Sequence, residues 1–443
     1  MLTAGILVLG LVFLTPSLAS GDWVSVDMGS GGNNMTGVCI GPGRNDGLNR
    51  VYGSNNDDRI WEFSWDGSAW LKAEVGAAGA NRGMTSVAVG AARNDGVNRV
   101  YATDYGLNPG YVWEFSRVGS VWQKSQVGTC PREINEVTIG AGRNDDTLRL
   151  YVACLDYHLY EFSWTGSNWT RLDMGAGTGN MIRVAVGTAR NDGVRRVYAS
   201  NTDNYIYEFT WNGSTWQMQT VGKGNAGYMS ALAVGAGRND GIQRVYGGDW
   251  DYRAYEFTWT GTTWVRDTVG IKGRGDMNAI TIGPGRNDGV SRVYGATRTW
   301  GYVYEFSYEG GGWVTDTIWD GPDAIELRLG DGRNDGVLRL YEAGFDYHMY
   351  EISYASTGVA ELPRAEVRTP ALGPTIIRNI LNLPLGTDKL QSDIALLDAT
   401  GRRVMPLQPG CNDVSALAPG VYFVRGAEEG RRVNTVRKVI VQR

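Results

Sequence analysis

Short stretches in which apolar and polar residues alternate recur along the chain, and Gly, Asn and Asp separate them. This alternation has the two-residue period of half-buried β-strands, and no segment shows a convincing 3.6-residue helical period. The pattern therefore predicts an all-β protein. In one representative unit it predicts four strands, at Thr85–Gly90, Asn98–Thr103, Tyr111–Ser116 and Val121–Val127.

This unit is repeated seven times, which predicts a seven-bladed β-propeller with four-stranded blades. Six units end in a strand that begins with Trp, and the seventh lacks that strand. The stretch Trp23–Gly29 has the same form as Trp169–Gly175, so we expect the N-terminal strand to complete the last blade and remove exposed sheet edges. The anchor string Arg-Asn-Asp begins, at intervals of 47 to 50 residues, at Arg44, Arg93, Arg143, Arg190, Arg238, Arg286 and Arg333.

The ends of the chain differ from the repeats. Residues 1–19 resemble a signal peptide, with a short apolar run at Ile6–Leu14 and small residues at Ser17 and Ala19, and the run is too short to span a bilayer. We assign residues 20–354 to the propeller, the proline-containing residues 355–375 to a linker, and 376–443 to a small β-sandwich. The formal net charge of −5 argues against a nucleic-acid partner.

The C-terminal module contains three characteristic stretches, L-D-A-T-G-R-x-V, N-D-V-S-x-L-A-P-G-V-Y-F-V-R and a terminal R-K-V-I. In this combination it resembles the C-terminal sorting domain of the Por (type IX) secretion system, which is found on exported bacterial proteins. The resemblance implies recognition by the type IX secretion machinery. It also implies that the mature protein is secreted or attached to the outer cell surface.

An Arg that begins the second strand and a Glu in the third strand recur in every unit. If the hairpin turns near Asn56, Arg50 lies directly opposite Glu62, and the pair is then a cross-strand ion pair that fixes the register. The alternative is a sugar site, because R-V-Y, a short loop, aromatic-Glu-hydrophobic and a later Trp resemble the repeats of fungal fucose-binding propeller lectins. That resemblance implies a sugar between blades. The pairs are Arg50/Glu62, Arg99/Glu114, Arg149/Glu161, Arg196/Glu208, Arg244/Glu256, Arg292/Glu305 and Arg339/Glu351.

The loops between the second and third strands differ from unit to unit, and most place an aromatic residue beside Asp or Asn. Aromatic faces stack on the C–H face of a pyranose, while carboxylates and amides bind its hydroxyls. These loops are therefore candidate sugar contacts, and the alternative is that the rings cap the blade edges. The aromatic candidates are Tyr157, Tyr205, Trp250, Tyr252, Trp300 and Tyr347.

The Arg-Asn-Asp-Gly strings, which hardly vary apart from Asp146 in place of Gly, are interpreted as turns between the first and second strands, because Asp-Gly pairs favour tight hairpins. Calcium binding is the alternative, but one Asp per turn supplies few oxygen ligands. The four cysteines are Cys39, Cys130, Cys154 and Cys411, and their spacing matches no metal motif. Cys130 and Cys154 are either a disulfide or two buried thiols.

Catalytic signals are weak. The chain contains only two histidines, His158 and His348, without a nucleophile motif beside either, and no off-repeat Asp/Glu pair stands out. We therefore expect a monomeric, non-enzymatic binding module without a cofactor, whose partners are glycans or surface proteins. A structural scaffold is the alternative, and a polysaccharide-cleaving enzyme is the third.

Overall fold

The computed structural model describes residues 22–79, 82–106, 108–271, 275–355, 375–377, 380–383, 395–398, 401–408, 410–426 and 435–441. The predicted signal peptide and most of the predicted linker lie outside the described residues. The chain divides into two compact units, Met1–Glu361 and Leu362–Arg443, and each is treated by itself.

The first unit consists of seven four-stranded antiparallel sheets, which are the predicted blades of a β-propeller. Within each blade, strands a to d run from the centre outward. The strands of the seven blades are, in order: β2 (Met35–Gly41), β3 (Arg50–Asn55), β4 (Arg59–Trp65), β5 (Trp70–Ala77); β6 (Gly83–Gly90), β7 (Arg99–Tyr105), β8 (Gly110–Val118), β9 (Val121–Cys130); β10 (Ile134–Gly140), β11 (Arg149–Cys154), β12 (His158–Trp164), β13 (Trp169–Ala176); β14 (Met181–Gly187), β15 (Arg196–Asn201), β16 (Tyr205–Trp211), β17 (Trp216–Lys223); β18 (Met229–Gly235), β19 (Arg244–Asp249), β20 (Arg253–Trp259), β21 (Trp264–Ile271); β22 (Met277–Gly283), β23 (Arg292–Thr297), β24 (Tyr302–Glu309), β25 (Gly312–Asp320); and β26 (Ala324–Gly330), β27 (Arg339–Gly344), β28 (His348–Ala355) with β1 (Asp22–Ser30).

The predicted closure of the ring is confirmed. Strand β1 is the outer strand of blade 7 and pairs antiparallel with β28, with Trp23 opposite Tyr354 and Asp27 opposite Tyr350. The two ends of the propeller sequence are thus joined by one strand pair. This arrangement leaves no blade with an unpaired third strand.

The blades are held together by seven apolar clusters, and each cluster lies between two neighbouring blades. Between blades 1 and 2, for example, buried Tyr52 and Ile60 pack with Phe115 of the next blade. The final V-G of blades 1, 2, 4 and 5 belongs to this packing. A Cβ on Gly76 would lie 2.5 Å from the Phe115 ring, so only glycine lets the outer strand approach the next blade so closely.

The second unit is also all-β. It contains a five-stranded sheet with the order β29-β35-β34-β31-β32 and a two-stranded sheet, β30-β33. Its described core consists of Leu381, Leu396, Leu407, Val414 and Val424. No helix long and apolar enough to cross a membrane occurs among the described residues. The strands are β29 (Thr375–Ile377), β30 (Ile380–Leu383), β31 (Ala395–Leu397), β32 (Arg403–Pro406), β33 (Gly410–Asp413), β34 (Gly420–Gly426) and β35 (Thr435–Val441).

Candidate functional site

The face that carries the a–b turns, here called the a–b face, contains the recurrent Arg and Glu residues. In blade 1 the carboxylate of Glu62 is fully buried and binds the Arg of the Arg-Asn-Asp string. Arg44 Nε donates to Glu62 Oε2 at 3.0 Å, and Arg44 Nη2 lies 2.5 Å from Oε1. The hydroxyl of Tyr52 also donates to Oε2, at 3.1 Å. The carboxylate therefore has two internal hydrogen-bond donors and a close ion pair with Arg44.

The expected position of Arg50 directly opposite Glu62 is wrong, although the predicted ion pair between the two residues is present. The residue opposite Glu62 is Tyr52, two positions along the same strand. The turn is centred one residue later than assumed, because Asp58 adopts a left-handed conformation with φ of 71°. When the centre of a hairpin turn shifts by one residue, the residue opposite a given position changes by two. Arg50 still points to the same face, and its Nε lies 3.6 Å from Glu62 Oε1.

The main partner of Arg50 is Asp46 in the a–b turn. Two parallel hydrogen bonds join them, Nη1 to Oδ1 at 2.8 Å and Nη2 to Oδ2 at 2.6 Å. The hydrogen bonds from Arg50 lower the pKa of the Asp46 carboxyl to about 2. Both carboxylate oxygens are thus used by the guanidinium, which leaves them poorly placed to bind calcium. The same Arg–Asp bond recurs in every blade.

The Asn of the Arg-Asn-Asp string joins neighbouring blades. Asn45 adopts a left-handed conformation with φ of 59°, and its side chain binds the backbone of Asn98 in blade 2. Oδ1 accepts the Asn98 N–H at 2.6 Å, and Nδ2 donates to the Asn98 carbonyl at 2.9 Å. In the same way, the side chain of Asn334 in the last blade binds the backbone N–H and carbonyl of Asn49 in blade 1, which closes the ring of inter-blade hydrogen bonds. Each residue of the string therefore has a structural partner.

At six of the seven blade junctions, the guanidinium of this string also lies over an aromatic ring of the next blade. The distance from Arg333 Cζ to the Trp65 ring is 3.6 Å, which is a close cation–π contact. The exception is Arg44, because blade 2 has Arg117 where the other blades have Trp or Tyr. The remaining contacts are Arg93–Trp164, Arg143–Trp211, Arg190–Trp259, Arg238–Tyr308 and Arg286–Tyr354.

The structure thus places the predicted Arg–Glu pairs in the interior of the blade junctions, with their charges satisfied within the protein. A sugar at these positions would have to displace the internal donors. All of the following residues are buried: Arg50, Glu62, Arg99, Glu114, Arg149, Glu161, Arg196, Glu208, Arg244, Glu256, Arg292, Glu305, Arg339 and Glu351.

The opposite face, here called the b–c face, displays aromatic rings at its loop tips. Tyr157, Tyr252, Trp300 and Tyr347 are 42 to 52% exposed. All four adopt left-handed conformations, with φ between 64° and 82°. This conformation is unfavourable for a residue with a bulky side chain. The loops therefore hold these rings in solvent at a conformational cost.

The two other predicted aromatic residues of this face are half-buried. Trp250 packs against Tyr228, with ring centroids 4.1 Å apart. Tyr205 stacks beside Tyr207 at 6.0 Å, and the ammonium of Lys223 lies 5.3 Å from its ring. These two rings belong to the walls of the face, whereas the four loop-tip rings protrude from it.

The two histidines occupy equivalent places on this face, in blades 3 and 7. His158 Nδ1 lies 2.9 Å from a carboxylate oxygen of Asp173, and His348 Nδ1 lies 2.9 Å from Asp27. The pairing with Asp27 joins the last strand of the propeller to the first. No nucleophilic side chain is recorded within hydrogen-bonding distance of either imidazole among the described residues, so the pairs have the geometry of structural links.

An open cavity of about 480 Å³ lies on the b–c face at blade 4. The b–c loop of blade 4, residues 203–205, forms one side, and residues 223 and 225–227 form the other. Asn204 lines this cavity and is only 3% exposed, yet neither its Oδ1 nor its Nδ2 has a hydrogen-bond partner among the described residues. Sequence inspection grouped this loop with the others, because the Asp-Asn-Tyr string gives no sign that the amide is buried.

The central channel contains a charge cluster that breaks the repeat. Glu136, Arg183 and Glu326 occupy the third position of strands β10, β14 and β26, where the other blades have Gly, Ser or Ala. Arg328 binds both carboxylates, with Nη2 2.8 Å from Glu136 and Nη1 3.0 Å from Glu326. The sequence expectation that no off-repeat carboxylate pair stands out is therefore wrong.

These channel carboxylates are neutralised by arginine. Arg183 also binds Glu326, and its guanidinium donates to the carbonyls of Asn278 and Ile325 at 3.0 Å. Burial raises the pKa of the Glu136 carboxyl, an effect that the neighbouring Arg183 and Arg328 oppose. The cluster links blades 3, 4, 6 and 7 across the channel, beside a cavity of about 360 Å³ lined mostly by aliphatic side chains.

One further off-repeat carboxylate is isolated. Glu342 in strand β27 is fully buried, and neither of its oxygens has a hydrogen-bond partner among the described residues. Burial, followed by the charges of Asp346 and Asp323, raises the pKa of the Glu342 carboxyl well above its usual range. Within the described ranges, no group of three or more His, Cys, Asp or Glu side chains is arranged to hold a metal ion.

Cys130 and Cys154 are free, buried thiols in the apolar cluster between blades 2 and 3. The contact with Cys154, together with burial, raises the pKa of the Cys130 thiol. The two side chains are therefore neighbours across a blade junction, in the reduced state.

No protein-family model matches the chain, and no curated protein is significantly similar to it in sequence. Similarity is found with solved structures. One, from the crystal structure of a mitotic checkpoint complex, is 12% identical with a TM-score of 0.51 and covers 79% of this chain and 99% of its own. Another, BBS1N in complex with ARL6DN, is 12% identical with a TM-score of 0.54, covering 78% and 99%. At this identity the likeness shows the propeller fold.

Proposed function

We propose that this protein is an exported, non-enzymatic propeller that binds glycans through its b–c face. The observation that carries the proposal is the set of four aromatic side chains held exposed in left-handed conformations at equivalent loop tips. Backbone strain of this kind persists where the rest of the structure enforces it, and it is concentrated at functional sites. Exposed ring faces suit the C–H faces of pyranose units.

The sites are similar in kind and lie on one face of a ring, which supports multivalent binding. Each ring offers a small contact, so a single site is expected to be weak. A polymeric or clustered glycan that reaches several loop tips at once gains avidity through the high effective concentration of the second site. The expected stoichiometry is several sugar units per protein chain.

The proposal is tested with a glycan array on the full chain and on a variant in which Tyr157, Tyr252, Trp300 and Tyr347 are all replaced by Gly. Glycine accepts the left-handed conformation, so the variant removes the rings without straining the loops. We expect saturable binding by the wild type and a loss of at least tenfold in the variant. A variant with Leu71→Ser and Val121→Ser, which removes exposed apolar side chains from outer strands, serves as control.

A protein-binding scaffold is the second candidate, because the similar solved structures come from protein complexes and because aromatic side chains are also enriched in protein interfaces. A blank array with a folded wild-type protein would favour this candidate. Export itself is proposed from the signal-peptide-like start and the sorting-domain-like C-terminal module. It is tested by locating the full chain in a type IX-secreting host with and without residues 376–443.

A further inference from the structure

We infer that the central channel is a binding pocket that opens on the a–b face and takes a neutral aliphatic molecule with one carbonyl group, such as a short acyl amide or ester. This inference goes beyond the proposed function, which uses the b–c face. The pocket is the cavity of about 360 Å³ beside the charge cluster, and its volume lies at the lower end of the range of small-ligand sites.

The first argument is that the channel is closed toward the b–c face. Alternate residues of the innermost strands point into the channel, because side chains of a strand alternate between its two faces. The layer that contains Glu136, Arg183 and Glu326 is buried in all seven blades. Arg183 extends from blade 4 across the channel and donates to the carbonyls of Ser230 in blade 5 at 2.9 Å and Asn278 in blade 6 at 3.0 Å. This layer is therefore the floor of a blind pocket.

The second argument is that the channel is open toward the a–b face. The next inward-facing layer contains Arg328 and small side chains such as those of Ala185 and Ala233, and six of its seven members are half-buried. The layer after it, beside the a–b turns, is glycine in every blade, for example Gly187 and Gly235. This last layer therefore places no side chain across the entrance, and a ligand can reach the pocket from solvent.

The third argument is a polar group that a ligand can contact. Arg328 lines the pocket, and its side chain is 34% exposed. A guanidinium has five N–H groups, whereas Arg328 makes one hydrogen bond to Glu136 and one ion pair with Glu326 among the described residues. The donors that remain can bind a carbonyl oxygen in the pocket. The half-buried hydroxyl-bearing residues Thr138 and Thr281 lie in the same lining.

The fourth argument concerns the body of the ligand. The wall of the pocket is aliphatic and only half-buried, so an aliphatic chain that enters the channel removes apolar surface of both partners from water. The wall is contributed by several blades, which surround the ligand on more than one side. Its larger aliphatic residues are Ile40, Val89, Ile139, Val186, Val234 and Ile282.

The fifth argument concerns the charge of the ligand. The cluster contains two arginines and two glutamates, and Arg183 is paired with Glu326 while Arg328 is paired with both glutamates. A ligand carboxylate would add a third negative charge to a cluster whose charges already balance, and an ammonium group would meet the guanidinium of Arg328. Glu136 and Glu326 are 3% and 4% exposed, so neither presents a carboxylate to a cationic ligand. The cluster therefore favours a neutral hydrogen-bond acceptor.

The experiment uses the full chain and three six-carbon probes, hexanamide, hexanoate and hexylammonium, in saturation-transfer NMR titrations. Ala233→Leu places a larger side chain on the pocket wall, and Ala69→Leu, on an exposed c–d turn, is the matched control. We expect hexanamide to bind the wild type and Ala69→Leu equally, and Ala233→Leu at least tenfold more weakly. Hexanoate and hexylammonium should bind the wild type at least tenfold more weakly than hexanamide does.

Ala185→Leu repeats the test at a second position of the wall, in the neighbouring blade, and thermal unfolding shows whether each variant is folded. The measurements on the wild type do not depend on either variant. The variant that lacks the four loop-tip rings should bind hexanamide as the wild type does, because those rings lie on the opposite face.

Four results overturn the inference. They are the absence of hexanamide binding by the wild type, equal binding by the wild type and the folded leucine variants, tighter binding of hexanoate than of hexanamide, and loss of hexanamide binding when the loop-tip rings are removed. None of them decides the proposed function, which is tested separately by the glycan array.

Discussion

The a–b face and the b–c face of the propeller are built from the same seven repeats, but they use them differently. On the a–b face, Arg44, Asn45 and Asp46 and their six sets of counterparts bind partners within the protein. On the b–c face, the left-handed loop residue is Gly106 in blade 2, and in the other six blades it is Asp58, Tyr157, Asn204, Tyr252, Trp300 or Tyr347. Four of these six side chains are exposed aromatic rings.

The difference indicates that residues repeated in every blade stabilise the fold, whereas loop residues that differ between blades are available for binding. A position that contacts the next blade is under the same geometric constraint seven times, so the same residue recurs. A loop tip that is largely exposed has no such constraint, and each blade can present a different side chain. The channel cluster shows the limit of this rule, because Glu136 and Glu326 diverge from the repeat and are nevertheless neutralised by Arg183 and Arg328.

The largest expected effect comes from Glu208→Gln on the a–b face. Glu208 accepts from Arg190 Nε at 3.0 Å, Tyr198 Oη at 3.1 Å and Gln219 Nε2 at 2.8 Å. The substitution leaves two arginines beside a neutral amide, so we expect the free energy of unfolding to fall by about 3 kcal/mol. Urea denaturation measures this, and glycan binding at a temperature where the variant is folded should not change.

The opposite outcome for Glu208→Gln would reverse the roles of the two faces. If stability is retained and glycan binding is lost, the blade junctions are the sugar sites, as the fucose-lectin-like repeats imply. The loop-tip rings would then cap the blade edges.

A smaller effect is expected from the isolated carboxyl of Glu342. Because burial raises its pKa in the folded state, the folded protein retains a proton that the unfolded chain releases above its ordinary pKa of about 4.3. The contribution of Glu342 to stability is therefore fully present below that pH and is lost as the pH rises toward the folded-state pKa. Glu342→Gln should flatten this dependence in denaturation curves across pH, whereas Glu74→Gln, at an exposed position, should not. An unchanged slope in Glu342→Gln would show that this carboxyl has an ordinary proton affinity.

The fold was predictable from the sequence because it depends on the period. Seven copies of one unit, each with four alternating segments, and a Trp23 strand that matches the outer strands determine the ring and its closure. The partner of Glu62 was harder to predict. It depends on the centre of one turn, and the actual donor, Arg44, lies 18 residues away across the a–b turn rather than on the adjacent strand.

The b–c cavity could not be predicted for a different reason. The Asp203-Asn204-Tyr205 string resembles the other loops, and the placement of the amide depends on Gly224, which comes later in the chain and has no Cβ to clash with Asn204 Oδ1. The aromatic candidates themselves were identifiable, but only the backbone angles distinguish the protruding Tyr157 and Trp300 rings from the wall residue Trp250.

The next prediction tests whether the loop-tip rings of the b–c face are exposed for ligand binding or cap the blade edges. Tyr157 has a left-handed backbone with φ of 78°, and replacing it by Gly removes this backbone strain, which stabilises the protein. Glycine also makes the unfolded chain more flexible, which destabilises the folded protein and opposes the gain. We therefore expect stability to be unchanged or raised by up to about 1 kcal/mol, together with weaker glycan binding. Thermal unfolding and the glycan array measure the two quantities. A clear loss of stability would indicate that the ring caps the blade edge.

The smallest expected effect tests whether blade 2 loses stability because it lacks the aromatic ring that the other six blades have on the a–b face. Arg117 occupies the position at which six blades place an aromatic ring under the neighbouring arginine, and Arg44 is accordingly the most exposed of the seven, at 29%. Arg117→Trp should supply the missing cation–π contact and stabilise the protein by about 0.5–1 kcal/mol. The converse change, Trp65→Arg, removes the ring beneath Arg333 and should destabilise it by a similar amount in the same urea titration. If both variants leave stability unchanged, the aromatic positions of the a–b face are not under structural constraint, and their recurrence needs a functional explanation like that of the loop tips.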